Sequence, residues 1–562
     1  TGDKHPFAVP FFNTCFQRMQ RSWWRAALTP RNPYTGRSLI DDPALAFIEI
    51  VNEDSVFFPT FTPYDGVPAP QMQILERLFA EWLRTHREPT LAQTFARWGG
   101  GALRGDDAPG GRAGLMPPGD VVSRRDARAR DTAEFLTELQ RHYYDDTYRY
   151  LKAELGFKGS VTGSNWITAD ARVLGPLDKW SNAGCDFIDR HGYFGGPHEG
   201  ATASYQISAG DTYDDALALR FETGRPGKLS FALPLMDLAY QGKPSVISEL
   251  GWPAPNRYRT DLPVLAAAYG ALQGSDAIFF FAMEGSSWSD HLANFTIADP
   301  ALVGLFPAAA LLYRRGLVKT AEPVVHLEAD LAGLQALKGL PIAAPHNLDQ
   351  LRMEGAMPRG RGAGGMNSDG IDPLAFLAGR VEVNITRGGG VSKTADLSAL
   401  IDRRGRLVRS ATGELAWDWG RGLATVDAPQ AQGATGLLGQ TKAIALRDVT
   451  IMSGNDYGSV LLVALDGQPL RSSARMLLQV MTEDQNTGWS APGQGLRRIL
   501  DPGGQPLVVK NIAGRVTFKR NDAADLKVSA LDFNGYPVET FRLGAAKELV
   551  LRSRTLYYVL QR

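Results

Sequence analysis

The chain has 562 residues, more than one hydrophobic core sustains, so two or three domains are expected. Hydrophobic residues make up 44% and charged residues 21%, an ordinary globular composition that excludes a disordered or fibrous chain. Lys plus Arg (60) balances Asp plus Glu (60), which excludes a chain-wide field for nucleic acid, an anionic membrane or a polyanion and leaves a neutral polymer as the natural ligand.

Locally, Arg124, Arg125, Arg128 and Arg130 form a basic patch, but the Asp residues among them read as a solvated helix approach. Cys15 and Cys185 stand far apart in no ligand spacing, so they read as small buried side chains and not as a disulfide or zinc site. No run of ~18 apolar residues could span a bilayer, and no signal peptide is visible.

Phe12, Phe16, Met19, Trp23 and Ala27 recur at helical spacing and predict a helix within 6–28, ended by Pro30 and the turn 32–36. The apolar, β-branched run 46–53 has strand length and stops at Asn52-Glu53. A loop over 57–70 leads to a helix over 71–86 with apolar residues three and four apart, and a shorter helix follows around 91–98. The stretch 99–120, rich in Gly, Pro, Arg and Asp, reads as an exposed loop. A long amphipathic helix is expected over 131–155. Strands at 159–166, 185–194, 244–249 and 277–284 then alternate with helices at 230–241, 261–273 and 300–315, the pattern of βα units around a parallel sheet.

Past Val318 the character changes. The Gly-rich segment 354–372 reads as a connector. Short apolar runs at 380–385, 423–427, 442–446, 459–465, 476–482, 515–518, 526–531, 548–551 and 556–560, separated by turn signals, fit one or two antiparallel β-sandwich modules.

Two strands end in a carboxyl group: Ile50-Val51-Asn52-Glu53 and Ile247-Ser248-Glu249-Leu250-Gly251-Trp252. Paired carboxyls at strand mouths suit glycosidic-bond cleavage, where one protonates the leaving oxygen and the other attacks or activates water. Glu49 shares the strand face of Glu53 by period-two alternation but sits deeper, which suits an interior hydrogen-bonding role. Glu284, at the end of the 277–284 strand, is a candidate substrate contact. His198 and Glu199, in a loop, have no assignable role. Trp166, Trp252 and Trp288 follow or end strands and are candidate sugar platforms, since aromatic faces pack against the C–H patches of sugars. Trp23, Trp24, Trp82 and Trp98 fall on expected helices and read as core.

The ordered set Asn52-Glu53, Arg190-His191-Gly192-Tyr193 and Ser248-Glu249-Leu250-Gly251-Trp252 resembles clan A glycoside hydrolases, retaining (β/α)₈ enzymes that include cellulases, mannanases and β-galactosidases. The segment from Leu78-Phe79-Ala80-Glu81-Trp82-Leu83 to Trp98-Gly99 is similar to a helical insertion in several members. The resemblance covers residues 6–316. It implies that the 46–53 strand is the fourth of a TIM barrel and that 1–316 is a partial catalytic barrel, strands four to eight with a helical insertion over 62–130. The first three βα units, roughly 100 to 150 residues, would precede Thr1 or come from a separate N-terminal fragment. An open or permuted sheet is the alternative. Residues 317–562 would form the β-sandwich accessory region. There, 412–419 and 425–430 resemble a hairpin of accessory sandwich domains, with Trp417 and Trp419 either packed on the barrel or touching carbohydrate.

The resemblance also implies roles: Glu53 the general acid and then base, Glu249 the nucleophile, Asn52 a ligand of the sugar 2-hydroxyl, and His191 and Tyr193 partners of Glu249. The clan's second-strand Arg and third-strand polar residue have no counterpart here. The expected function is retaining hydrolysis of a β-glucan, mannan or galactan type of substrate, with no metal or organic cofactor and no nucleic-acid or membrane partner. Secretion or a periplasmic location is expected from that substrate class. A non-catalytic carbohydrate-binding scaffold and a transglycosylase using the same carboxyl pair are the alternatives.

Overall fold

Asn13 starts the first long helix, α1 (Thr14–Leu28), by accepting the Cys15 and Phe16 N–H groups on its side chain. The protein is described here from a computed structural model, covering residues 7–341 and 371–562 except 59, 166–169, 171, 196–197, 202, 204–205, 221–232, 234 and 284–290. α1 leads to β1 (Phe47–Val51), followed by α2 (Ala69–His86), α3 (Leu91–Trp98), α4 (Pro118–Arg124) and α5 (Ala127–Arg149). Thr90 caps α3, Gly99 closes it with φ 66°, and Asp126 caps α5. Next come β2 (Ser160–Ser164), α6 (Gly175–Asn182), β3 (Ile188–Tyr193), β4 (His198–Glu199), β5 (Thr212–Tyr213), β6 (Ala239–Tyr240), β7 (Ser245–Gly251), α7 (Leu262–Gln273) and β8 (Ala277–Phe280).

β1 pairs with β2 and β3 pairs with β7, which pairs with β8, all in parallel. Asp186 donates its N–H to the Val161 carbonyl at 2.8 Å and His191 donates to that of Asn165 at 3.0 Å. These bonds run in the same order along both segments, so they join the two sheets into one parallel row, β1-β2-β3-β7-β8. The row curves: the rings of Phe47 on β1 and Phe279 on β8 lie 5.5 Å apart. No closed barrel forms among the described residues, and the chain is a mixed α/β protein with extensive antiparallel sheet.

Short helices α8 (Pro300–Val303) and α9 (Phe306–Arg314) follow. The second half opens with parallel, not antiparallel, pairing. β9 (Pro323–Asp330) pairs with β10 (Arg380–Thr386), and β10 pairs with β6 from the first half, each in parallel. A ten-stranded antiparallel sheet then runs from Ile401–Asp402 at one edge to Pro537–Arg542 at the other. A four-stranded antiparallel sheet joins 444–445, 449–453, 514–518 and 548–551. The core is continuous across both halves. All of α7 is buried, which explains its uniformly apolar sequence, and Tyr269 on α7 meets Trp417 edge-on at 5.2 Å.

Several local expectations change. Residues 239–240 form a strand, so the helix expected over 230–241 does not extend there; 221–232 and 234 lie outside the described residues, as does most of the 354–372 connector. The helix over 175–182 was not anticipated, because its face is polar and buried against its neighbours: Asp178, Lys179, Ser181 and Asn182 are all buried. Arg128 is not solvated. It is buried, bonds both carboxylate oxygens of Asp106 and packs on Trp98, tying the Gly-rich stretch 99–120 to α5. Cys15 is exposed, whereas Cys185 is buried. Trp24 and Trp82 are buried and Trp98 packs against the core, but Trp23 is 60% exposed. Trp417 and Trp419 are fully buried, which selects packing over carbohydrate contact, and Trp417 Nε1 donates to the Leu219 carbonyl at 3.3 Å. Among the described residues no helix is long and apolar enough to cross a membrane.

Candidate functional site

The C-terminal ends of four parallel strands bring Asn52 and Glu53, Asn165, His191 and Tyr193, and Glu249 together. Glu53 lies just beyond β1 at φ 50°, left-handed backbone that costs a non-glycine residue on the order of 1–3 kcal/mol. Asn165, at the end of β2, offsets that cost. Its Oδ1 accepts the Glu53 N–H at 2.9 Å, and its Nδ2 donates to Asn52 Oδ1 at 2.9 Å. Asp54 fixes the far side: its carbonyl accepts from Ser164 Oγ and its carboxylate accepts the N–H groups of Ala8 and Ser55. Burial pushes the Asp54 carboxyl up to about 6, against those two hydrogen bonds. Asn165→Ala is therefore expected to leave the Glu53 N–H unpaired and to destabilise the protein by about 1–3 kcal/mol, read as a lower urea midpoint.

Glu53 is 8% exposed. His191 Nδ1 lies 2.6 Å from Glu53 Oε1 and 3.4 Å from Glu249 Oε2, and its Nε2 lies 3.0 Å from Ser248 Oγ. The imidazole thus serves Glu53 more closely than Glu249. Tyr193 donates its hydroxyl to Glu249 Oε2. Phe58, Phe281 and Phe295 pack around the Tyr193 ring, which fixes the direction of that hydroxyl. One carboxylate oxygen of Glu53, one of Glu249 and a His191 nitrogen lie within 4.8 Å of one another.

Glu249 reaches this cleft through a β-bulge. On the β3–β7 ladder Arg190 faces Ile247 and His191 faces Glu249, leaving Ser248 without a partner residue. Strict alternation would have put Ser248 inside and Glu249 outside. Asp189 takes up the irregularity: its Oδ1 accepts the N–H groups of both Arg190 and Ser248. One layer deeper, a Glu49 carboxylate oxygen lies within 4.8 Å of one of Asp189. Burial, reinforced by the charges of Asp189, Glu249 and Glu53, pushes the Glu49 carboxyl up to about 9. Burial also raises Asp189.

Two donor sets come close enough to share an ion, Glu49–Asp189–His191 and Glu53–His191–Glu249. In the second, His191 and Tyr193 already engage the carboxylate oxygens that a cation would use; we identify neither set as a metal centre. Neither a protein-family model nor a curated protein matches the chain.

Of the residues singled out from sequence, Asn52, Glu53, His191, Tyr193 and Glu249 converge here. Trp252 does not form an open platform. It is 2% exposed and packed against Phe194 at 5.2 Å between rings, so the expected sugar-stacking face is closed. Trp166, Trp288 and Glu284 lie outside the described residues. His198 contacts Asp211 at 3.2 Å, and β4 and β5 form a small sheet with Arg497–Arg498 from the second half. Sequence reasoning missed Asn165, Asp189 and Ser248. Asn165 had a readable signal, a polar residue at a strand's C-terminal end like Asn52. The other two act through the bulge, which no local pattern announces.

Proposed function

We propose that the protein is a retaining β-glycoside hydrolase, its five parallel strands being part of a (β/α)₈-type scaffold. The observation that carries this reading is the pair Glu53 and Glu249, whose oxygens approach within 4.8 Å. That proximity favours the double-displacement geometry, with carboxyl groups about 5–5.5 Å apart, over the ~6.5–9.5 Å separation of inverting enzymes. The substrate class is a neutral β-linked glycan, in keeping with the balanced charge.

In the first half-reaction Glu53 gives its proton to the glycosidic oxygen while Glu249 attacks the anomeric carbon, breaking the C–O bond and forming a glycosyl ester. In the second, the Glu53 carboxylate takes a proton from water, whose oxygen displaces Glu249. The contacts support this division. With its proton on Nε2, donated to Ser248 Oγ, His191 presents a bare Nδ1 that accepts from neutral Glu53. Glu249 receives the Tyr193 hydroxyl, which favours its ionised form. Tyr193→Phe is expected to lower kcat roughly 10- to 100-fold, the worth of one hydrogen bond to a charged group, measured in steady-state kinetics.

The test is the stereochemistry of cleavage. Hydrolysis of nitrophenyl β-glycosides and of β-glucan, mannan and galactan oligosaccharides, followed by proton NMR, is expected to release the β-anomer first. Initial release of the α-anomer refutes the double displacement, and no cleavage of any member of the panel refutes the hydrolase.

A further inference from the structure

Below the proposed catalytic pair lies a second pair of acids that the reaction does not consume. Glu49 from β1 and Asp189 from β3 bring a carboxylate oxygen each within 4.8 Å of one another, and Asp189 is fully buried. Glu49 Oε1 and Asp189 Oδ2 are buried and have no N–H or O–H donor. Two carboxylates cannot bond each other, because neither has a hydrogen to give. A single proton between them satisfies both and leaves one negative charge on the pair.

We propose that Glu49 is a positioning residue for the reaction: as a neutral acid it donates to Asp189, and so holds the Ser248 bulge that turns Glu249 toward Glu53. This rests on the glycosidase reading for its purpose but not for its geometry. Asp189 Oδ1 accepts the Ser248 N–H at 3.0 Å, one residue before Glu249. A second negative charge on Glu49 would drive Asp189 away and free that N–H. The titratable groups facing the pair are His191 on β3, Glu249 on β7 and Glu53 beyond β1, while Lys179 of α6 donates to the Asp189 carbonyl. Two of the three facing groups are acids, which keeps the proton in place. The Glu49 carboxyl, pushed up to about 9 mainly by burial, agrees.

Three variants of the full chain test this. Glu49→Gln keeps a donor but cannot ionise, Glu49→Leu removes the donor, and Asp189→Ala removes the acceptor. Hydrogen exchange read by mass spectrometry over 245–250 is expected to show the wild-type protection in the Gln variant and its loss in the Leu and Ala variants. Protection retained in Glu49→Leu overturns the proposal, as does its loss in Glu49→Gln.

Melting curves give a second reading that needs only the well-folding Gln variant. An acid whose pKa is raised by folding contributes stability that is complete below its unfolded pKa and lost as pH rises toward the folded one. The wild-type Tm should therefore fall more steeply than that of Glu49→Gln between about pH 5 and pH 9. Parallel curves overturn the shared proton. With nitrophenyl β-glycosides, Glu49→Gln should match the wild-type kcat, and Glu49→Leu should be about 100-fold slower, the cost of a ~1 Å misplacement. A wild-type protein inert to the whole panel of aryl glycosides and oligosaccharides refutes the hydrolase, while exchange and melting still decide the acid pair.

Discussion

Glu249→Gln should abolish turnover, by on the order of 10⁴-fold or more, while leaving the fold and glycan binding intact. The amide fills the same space and still accepts from Tyr193, so the loss isolates nucleophilicity. It cannot form the glycosyl ester, and the His191 and Tyr193 contacts do not replace an attacking group. Glu53→Ala should behave differently. Without the acid, natural substrates are cleaved slowly, but aryl glycosides with good leaving groups still form the Glu249 ester, because their departure needs no proton. Azide, an anionic nucleophile with no proton to lose and so no need of a base, should then restore turnover by displacing Glu249 and appear in the product as a β-glycosyl azide. Mass spectrometry of the trapped ester and NMR of the azide distinguish the two carboxyls. Undiminished turnover in Glu249→Gln would remove the assignment.

The second large effect lies where the two halves meet. Arg259 is fully buried and bridges Asp299 at 2.9 Å and Asp484 at 2.6 Å. Asp484 also accepts the Ala301 N–H, so the triad ties the segment after β8 to the antiparallel region. Burial pushes the Asp299 carboxyl up to about 7, with Arg259 pulling it back. Arg259→Met should destabilise the protein by about 3–5 kcal/mol, because it strands two buried carboxylates without their cation. Protonating the stranded acids removes much of that penalty, so the loss should shrink on acidification. Adding Asp299→Asn and Asp484→Asn should recover part of it at neutral pH. Urea midpoints at two pH values check both claims. A uniform loss at all pH values would assign the effect to packing alone.

Most elements could be read from local pattern, because helices such as 69–86 and 91–98 and strands such as 47–51 carry their own periodicity, and the strand 458–464 is an apolar run of strand length. Segments fixed by distant partners were not legible. α6 buries Asp178 and Asn182, whose polarity argues against burial until Ser55, Gln140 and the Ser164 N–H are seen to satisfy them. β6 exists only because β10 supplies its ladder from far along the chain.

The site divides in the same way. By itself, the sequence determined which residues could do the chemistry: two strands ending in Glu53 and Glu249, with His191 and Tyr193 between them in the chain. Those identities follow from residue type and strand length, which are local. Only the tertiary structure decided that Glu249 faces Glu53 at all, since period-two alternation turns it outward and the Ser248 bulge reverses it. It also decided that Trp252 is closed off and that Glu49 and Asp189 meet, because burial and contact are properties of the packed strands and not of any one of them.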